Sequence, residues 1–219
     1  MRNLRAYYSS SIVDFLGKTD SEILGIIHTN DSLAQTNIQQ SNTWESEVQI
    51  LKSQLRSFTE GRIIFEYTIP RMGKRVDTVV LHKNIVFLLE FKCGDNEYRS
   101  STYDQVYDYA LDLRNFQKES HNKLLVPIMI STKAPTVSHE IVERDKIIEP
   151  LRCNSTNIWE AILRQHRTIN GLRLCRTLAC IFSVILPKFR LTGVSPSALN
   201  LYNLPKNLTS QSHDNNYAV

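Results

Sequence analysis

Acidic side chains interrupt two apolar, strand-like segments in the middle of this 219-residue chain. Asp77 lies within the segment Val-Asp-Thr-Val-Val, and Glu90-Phe-Lys92 ends a segment that begins with five apolar residues. Burial of a carboxylate in such a segment without a partner would cost several kcal/mol. These three polar residues are therefore the first candidates for chemistry.

The spacing of these residues predicts that they lie close together. A two-residue hairpin loop at Lys83-Asn84 would pair residues whose numbers sum to 167. Asp77 would then lie opposite Glu90 on the neighbouring strand. Because strand side chains alternate between faces, Lys92 would share the face of Glu90.

Two adjacent carboxylates repel each other unless a proton or a cation lies between them. Hard oxygen ligands suit Mg²⁺ or Mn²⁺, and Lys92 could orient a water molecule or stabilise charge on a phosphate. The pattern therefore predicts a metal-dependent site. A buried ion pair that only stabilises the fold is the alternative.

The elements that must position these residues follow from periodicity. The sequence predicts helices over 43–60 and 101–116, and strands over 62–70, 75–81, 85–92 and 124–131. The order is helix, three strands, helix, strand. This order predicts an α/β fold whose mixed central sheet is flanked by the two helices, with strands 75–81 and 85–92 as antiparallel neighbours.

Three regions are predicted along the chain. Residues 1–42 form an N-terminal helical extension, with short helices over 9–16 and 21–28, and residues 43–150 form the core. Residues 151–219 form a basic C-terminal extension with a partly irregular tail, which we expect to pack onto the core because it is too short and polar to bury a core of its own.

The net charge is −2 over residues 1–150 and +6 over residues 151–219. This asymmetry indicates contact with a polyanion or a solvated charged face.

Composition excludes several classes of protein. With 42% hydrophobic and 22% charged residues, the chain is neither collagen-like nor wholly disordered. Its four cysteines form no CxxC pair, which argues against a disulfide scaffold and a structural zinc site. The longest apolar stretch, residues 178–186, is far shorter than the roughly 20 residues that span a bilayer. The start of the chain lacks the pattern of a secretory signal. We expect a cytoplasmic protein without a membrane partner.

Asp77 followed by Glu90-x-Lys92 resembles the PD-(D/E)xK restriction-endonuclease-like nuclease superfamily, whose common core has the order αβββαβ. Val76 stands where that superfamily usually has Pro. The segment Gln105-Val-Tyr-Asp-Tyr109 is similar to the Q-x-x-x-Y motif of the RecB-type branch. Because Gln105 and Tyr109 are four residues apart, both would project from one helical face.

A closer resemblance is to the N-terminal nuclease-like domain of bacterial Schlafen-like DNA/RNA helicases, over roughly residues 5–150. The segments that carry it are 11–15, Trp44, 65–71, 74–77, 89–92 and 105–113. The chain contains no phosphate-binding loop, since Ile12 stands where the loop before Gly17-Lys-Thr19 would need Gly. The chain therefore resembles the nuclease-like part without the motor.

These resemblances imply a nuclease that uses Mg²⁺ or Mn²⁺ to cleave phosphodiester bonds, with DNA favoured over RNA as the nucleic acid. The implied catalytic residues are Asp77, Glu90, Lys92 and Gln105. The implied metal ligands are Asp77, Glu90, the backbone carbonyl of Phe91 and Glu47, with Glu45 as a competitor of Glu47. The residues expected to contact nucleic acid are Arg71, Lys74, Arg75 and Tyr109.

Two other functional interpretations stay open at this stage. The chain could be a catalytically silent nucleic-acid-binding or docking domain for a helicase, or a structural fragment that needs a helicase half. The protein partners compatible with the resemblance are a separate helicase, a C-terminal helicase domain of the same polypeptide, and a second copy of the chain in a homodimer.

Overall fold

A computed structural model describes residues 5–31, 38–138 and 140–163. In chain order the main elements are β1 (Tyr8–Ser11), α1 (Ile12–Gly17), α2 (Asp20–Asn30), α3 (Ile38–Gln54), β2 (Arg62–Thr68), β3 (Arg75–His82), β4 (Ile85–Lys92), α4 (Ser100–Phe116), β5 (Leu124–Ser131), β6 (Glu143–Arg144), β7 (Ile147–Ile148) and β8 (Leu151–Cys153). The predicted order of helix, three strands, helix and strand is confirmed in α3 to β5.

The strands of the described residues form one mixed sheet of eight strands, so the predicted α/β class with a mixed sheet is confirmed. The strand order is β1-β2-β3-β4-β5-β7-β6, and β8 also pairs with β5. Strands β1 to β4 are antiparallel neighbours, whereas β4 and β5 are parallel. Helix α4 makes the crossover between β4 and β5, as a parallel pair requires.

The β3–β4 hairpin has the predicted register. His82 pairs with Ile85 and Thr78 pairs with Leu89, so paired residue numbers sum to 167. Lys83, the first residue of the two-residue loop, has a left-handed φ of 54°, the conformation that short hairpin turns favour. Strand β4 is buried along its length except at Lys92. A central strand covered on both faces has this pattern.

Two apolar clusters pack on the two faces of the sheet. One contains Trp44, Val48 and Leu51 of α3 together with the odd-numbered residues of β4 from Ile85 to Phe91. The other contains Val106, Ala110 and Leu113 of α4 together with Val86 and Leu88 of β4. Helix α3 thus covers one face of the sheet and helix α4 the other.

The N-terminal region differs from the predicted pair of helices. Residues 8–11 form strand β1, which pairs with β2, and helix α1 begins only after Ser11, whose side chain caps it by accepting from the Asp14 amide. Helix α2 follows a capping box made by Thr19 and Glu22. Pairing with a strand more than 50 residues away outweighed the weak local preference of the serines.

The boundaries of two other regions also differ. Helix α3 begins at Ile38 and ends at Gln54, earlier at both ends than the predicted 43–60. Leu151–Cys153, predicted to open the C-terminal extension, pair with β5 as part of the sheet. The rest of that extension from residue 164, including the apolar stretch 178–186, lies outside the described residues.

Within the described part of the chain, no helix has the length and apolar character that a bilayer crossing requires.

Candidate active site

A cavity of about 410 Å³ opens between helices α3 and α4 at the end of strands β2, β3 and β4. Its walls are formed by Gln39, Gln40, Thr43, Trp44, Glu47, Glu66, Arg75, Asp77, Glu90, Phe91, Lys92, Gln105 and Tyr109. All four residues expected to be catalytic therefore line one cavity. The three side chains expected to bind metal also line it.

Asp77 lies where β3 separates from β4. The backbone ladder ends at the pair Thr78–Leu89, one pair before Asp77 and Glu90. In place of a ladder bond, the Phe91 amide donates to Oδ2 of Asp77 over 2.8 Å. Burial, followed by the charge of Glu90, raises the pKa of Asp77 to about 7, against the opposing effects of the Phe91 hydrogen bond and the Lys92 charge.

Glu90 is held by two donors on the same oxygen. Lys92 Nζ and Gln105 Nε2 each donate to Oε1 of Glu90 over 2.8 Å. Burial raises the pKa of Glu90, although the charge and hydrogen bond of Lys92 oppose this shift. The buried Oε2 atom of Glu90 has no hydrogen-bond partner among the described residues. One lone-pair-rich oxygen is thus left for a cation or a proton.

Lys92 and Gln105 also have defined surroundings. Lys92 is 33% exposed at its side chain, so its ammonium group is reachable from the cavity. Burial alone would lower its pKa, but the charge of Glu90 and the hydrogen bond to it give a net rise. Gln105 Nε2 also donates to the Tyr109 hydroxyl over 2.7 Å, and burial raises the pKa of Tyr109 to about 12.

Glu47 enters the cavity from α3. It is 1% exposed, and its Oε2 atom has no partner within the described residues. Burial, then the charges of Asp77, Glu66 and Glu90, raises the pKa of Glu47 well above its ordinary value. The competitor Glu45 is exposed, and its carboxylate accepts a hydrogen bond from Gln49. Of these two glutamates, only Glu47 lines the cavity.

The three basic residues expected to bind nucleic acid are placed differently. Arg75 lines the cavity. Arg71 is exposed in the turn before β3 with a left-handed φ of 68°. Lys74 forms a 2.9 Å ion pair with Asp112 of α4 and does not line the cavity. The structure thus brings only Arg75 of these three to the carboxylates.

Glu66 is a cavity residue that was absent from the sequence-based site. Its carboxylate accepts from Trp44 Nε1 over 2.6 Å and pairs with Arg75 Nε at 2.5 Å. Paired residues of β2 and β3 have numbers that sum to 143, so Glu66 lies at the level of Asp77. The arithmetic that aligned Asp77 with Glu90 would not have found Glu66, because β2 and β3 are joined by six residues and the predicted strand ends, 70 and 75, would have paired Thr68 with Asp77.

Hard divalent cations prefer carboxylate oxygens, which several cavity residues supply. Among the described residues, no group of three or more His, Cys, Asp or Glu side chains is arranged so that it could hold a metal ion. Glu90 and Glu47 nevertheless each hold a buried carboxylate oxygen without a donor, beside Asp77. If ionised, the four cavity carboxylates would carry two charges more than Lys92 and Arg75 balance. One Mg²⁺ or Mn²⁺ would supply these two charges.

No protein-family model, curated protein or solved structure matches the chain. Functional interpretation therefore depends on the chemistry of the cavity.

Proposed function

We propose that this chain is a metal-dependent nuclease of the PD-(D/E)xK type that hydrolyses phosphodiester bonds, with DNA as the favoured substrate and RNA as the alternative. The observation that carries the proposal is the arrangement of Asp77, Glu90 and Lys92. The half-buried Asp77 and the buried Glu90 meet at the end of adjacent strands. One oxygen of Glu90 has no hydrogen-bond partner among the described residues, and its other oxygen lies 2.8 Å from the Lys92 ammonium.

The order of elements from α3 to β5 supports the restriction-endonuclease-like core as the finer description of the fold. In this interpretation Asp77 and Glu90 occupy the ends of the second and third core strands, and Gln105 lies on the helix that follows. The chain would act with a helicase, either as a separate partner or as a further domain. A homodimer is an additional assembly that this proposal accommodates.

The metal ion would be held by Asp77, Glu90, the Phe91 carbonyl and Glu47. When bound, such an ion polarises a phosphate oxygen and lowers the pKa of a bound water. Its place among these oxygens would also relieve the repulsion that raises the pKa of Asp77.

The protein side chains have distinct tasks in this proposal. Lys92, which is charged because Glu90 raises its pKa, orients the attacking water and stabilises negative charge that develops on the phosphate. Gln105 holds the Glu90 carboxylate through Oε1, so that Oε2, which has no partner among the described residues, would be left for the cation. Both tasks require that the carboxylate of Glu90 stays in one rotamer.

The test is cleavage of linear duplex DNA, single-stranded DNA and single-stranded RNA with Mg²⁺, Mn²⁺ or EDTA. We expect cleavage with either metal and none with EDTA. Asp77→Asn and Glu90→Gln should each abolish it, whereas Asp104→Asn, which removes an exposed carboxylate one residue from Gln105, should not. If the wild-type chain binds nucleic acid but cleaves none of these substrates with any metal, the chain is a docking module and the nuclease proposal is wrong.

A further inference from the structure

Glu66 has an unusual backbone conformation for a residue inside a strand. Its φ of 55° lies in the left-handed region, which is costly for a residue with a long side chain. The paired residue numbers of β2 and β3 sum to 143 on both sides of Glu66, so it is not an inserted residue. The cost of this left-handed conformation is therefore explained by the position that it gives to the Glu66 side chain.

The left-handed conformation changes which face of the sheet the neighbouring side chains occupy. Ile64 and Tyr67 are three residues apart, yet both pack against the apolar cluster on the α4 face. Regular alternation would place them on opposite faces. The change allows Glu66 to reach Trp44 of α3, on the other face of the sheet, where the indole N–H donates to Oε1.

Both carboxylate oxygens of Glu66 are used inside the protein. Oε1 accepts from Trp44 and Oε2 pairs with Arg75 Nε, and the residue is 5% exposed. Glu66 is therefore not an available metal ligand, in contrast to Glu47 and Glu90. Its carboxylate serves to fix the guanidinium of Arg75.

Arg75 is fixed by a second residue as well. Its Nη1 donates to the Tyr7 hydroxyl, and its guanidinium lies 4.9 Å from the centre of the Tyr7 ring. These contacts use two of the five N–H donors of an arginine, and the side chain of Arg75 is 31% exposed. Three N–H donors remain on the guanidinium, and Arg75 lines the cavity two residues before Asp77.

We propose that Glu66 is a positioning residue: with Tyr7 and Trp44, it holds Arg75 so that the remaining N–H donors of the guanidinium bind a phosphate of the nucleic acid beside the metal ligands. This inference rests on the proposed function for the identity of the ligand. A planar guanidinium that is already held in place can use its remaining N–H donors for hydrogen bonds with phosphate oxygens. The competing explanation is an ion pair that only neutralises Glu66.

The test is a double-mutant cycle for binding, measured in an Asp77→Asn background so that no cleavage interferes. Anisotropy of fluorescein-labelled single-stranded and duplex DNA 20-mers gives the Kd at several salt concentrations. Arg75→Ala should weaken binding about tenfold and flatten the salt slope by about 0.7 for single strands or 0.9 for duplex. Arg62→Ala, at the opposite end of the β2–β3 hairpin, is the control with the same change of charge.

Glu66→Gln distinguishes the two explanations by the sign of its effect. Removal of a negative charge should tighten DNA binding if Glu66 is only a counterion. If Glu66 positions Arg75, the variant should instead weaken binding by roughly threefold to tenfold, because the arginine must then be ordered during binding. This weakening should disappear when Arg75→Ala is already present. Glu66→Asp, which keeps the charge and tolerates a left-handed φ but has a shorter reach, should also weaken binding.

Each outcome bears on one proposal. The positioning role is wrong if both Glu66 variants bind DNA as tightly as their parent or more tightly. It is also wrong if Arg75→Ala has no effect, and both conclusions hold even if the wild type cleaves DNA. Failure of the Asp77→Asn protein to bind either DNA also overturns the positioning role. Conversely, the double-mutant cycle could show coupling between Glu66 and Arg75 while the wild-type chain cleaves no nucleic acid. The coupling would then support the positioning role, and the lack of cleavage would contradict the nuclease proposal.

Discussion

The backbone amide of Phe91 donates a hydrogen bond to the carboxylate of Asp77 over 2.8 Å. Phe91 is the residue between Glu90 and Lys92, so the main chain that carries these two residues also fixes the carboxylate opposite them. The bond forms where the β3–β4 ladder has ended. The main chain of β4 thus helps to fix the position of the Asp77 carboxylate relative to Glu90 and Lys92.

The stability of the metal-free protein should fall as the pH rises. Asp77 has a pKa of about 7 in the folded protein against an ordinary value of 3.8. Between these values the folded chain holds a proton that the unfolded chain has released, so a higher pH favours unfolding. We expect the melting temperature in EDTA to be roughly 5–10 °C lower at pH 8 than at pH 5. Asp77→Asn should reduce this difference, and Glu47, whose pKa burial also raises, should account for much of the remainder. An equally steep pH dependence in that variant would contradict the assignment.

Metal binding should release protons. Because Asp77 is partly protonated near neutral pH and the ligand must be ionised, Mn²⁺ affinity should rise about tenfold between pH 6 and pH 8. Calorimetry in two buffers with different ionisation enthalpies measures both the affinity and the number of protons released. Asp104→Asn is the matched control, since its carboxylate is exposed. An affinity that is independent of pH would show that Asp77 is not a ligand.

Loss of the Lys92 ammonium should affect the chemical step more than the metal. Lys92→Ala should keep Mn²⁺ binding within a few fold and reduce the single-turnover cleavage rate by roughly 10²–10⁴. Lys133→Ala removes an exposed lysine shortly after β5 and should leave the rate unchanged. If Lys92→Ala instead abolishes metal binding at an unchanged melting temperature, the role of Lys92 is to maintain the site and not to assist the reaction.

Gln105 should contribute less than the carboxylates. It supplies one of the two donors to Oε1 of Glu90, and Lys92 supplies the other, so Gln105→Ala leaves Glu90 partly held. We expect a roughly tenfold loss of rate, the effect of about one hydrogen bond. Tyr109→Phe removes only the hydroxyl that accepts from Gln105 and should cost less still. A total loss of activity in Gln105→Ala would place this residue among the reacting groups.

The described part of the C-terminal region should be required for stability. Leu151 and Cys153 are buried in strand β8, and Ile158 and Ile162 are buried in the same apolar cluster. A chain ending at residue 150 exposes one edge of β5 and leaves this cluster incomplete, so we expect a melting temperature at least 10 °C lower than that of residues 1–163. Equal melting temperatures for the two truncated chains would contradict this expectation.

The β3–β4 hairpin and its register could be predicted because they depend on local information. Two apolar segments and the two-residue loop at Lys83-Asn84 between them determine which residues pair, and a carboxylate in an apolar strand indicates a special environment. The convergence of Asp77, Glu90 and Lys92 on one cavity follows from these rules alone. Gln105 and Tyr109 could be added because residues four apart share a helical face.

The remaining features depend on contacts between distant segments. Strand β1 forms because the edge of β2 is free to pair with it, which a local pattern in residues 8–11 does not reveal. The left-handed φ of Glu66 is likewise set by Trp44 and Arg75, and nothing in the residue type predicts it. The level of Glu66 in the sheet also depends on the six-residue connection between β2 and β3, whose length does not fix a register as a two-residue loop does.

The two-residue loop at Lys83 and Asn84 should tolerate an inserted residue but not a deleted one. It lies about 20 Å from Asp77 along β3, at roughly 3.3 Å per residue, yet two residues is the shortest connection that commonly joins antiparallel strands. An inserted residue can be accommodated by a longer loop that leaves the ladder intact. A deleted residue cannot, because one strand must then slide by one position, which turns Glu90 to the opposite face of the sheet. Homologous chains that retain activity should therefore show insertions at this loop but no deletions.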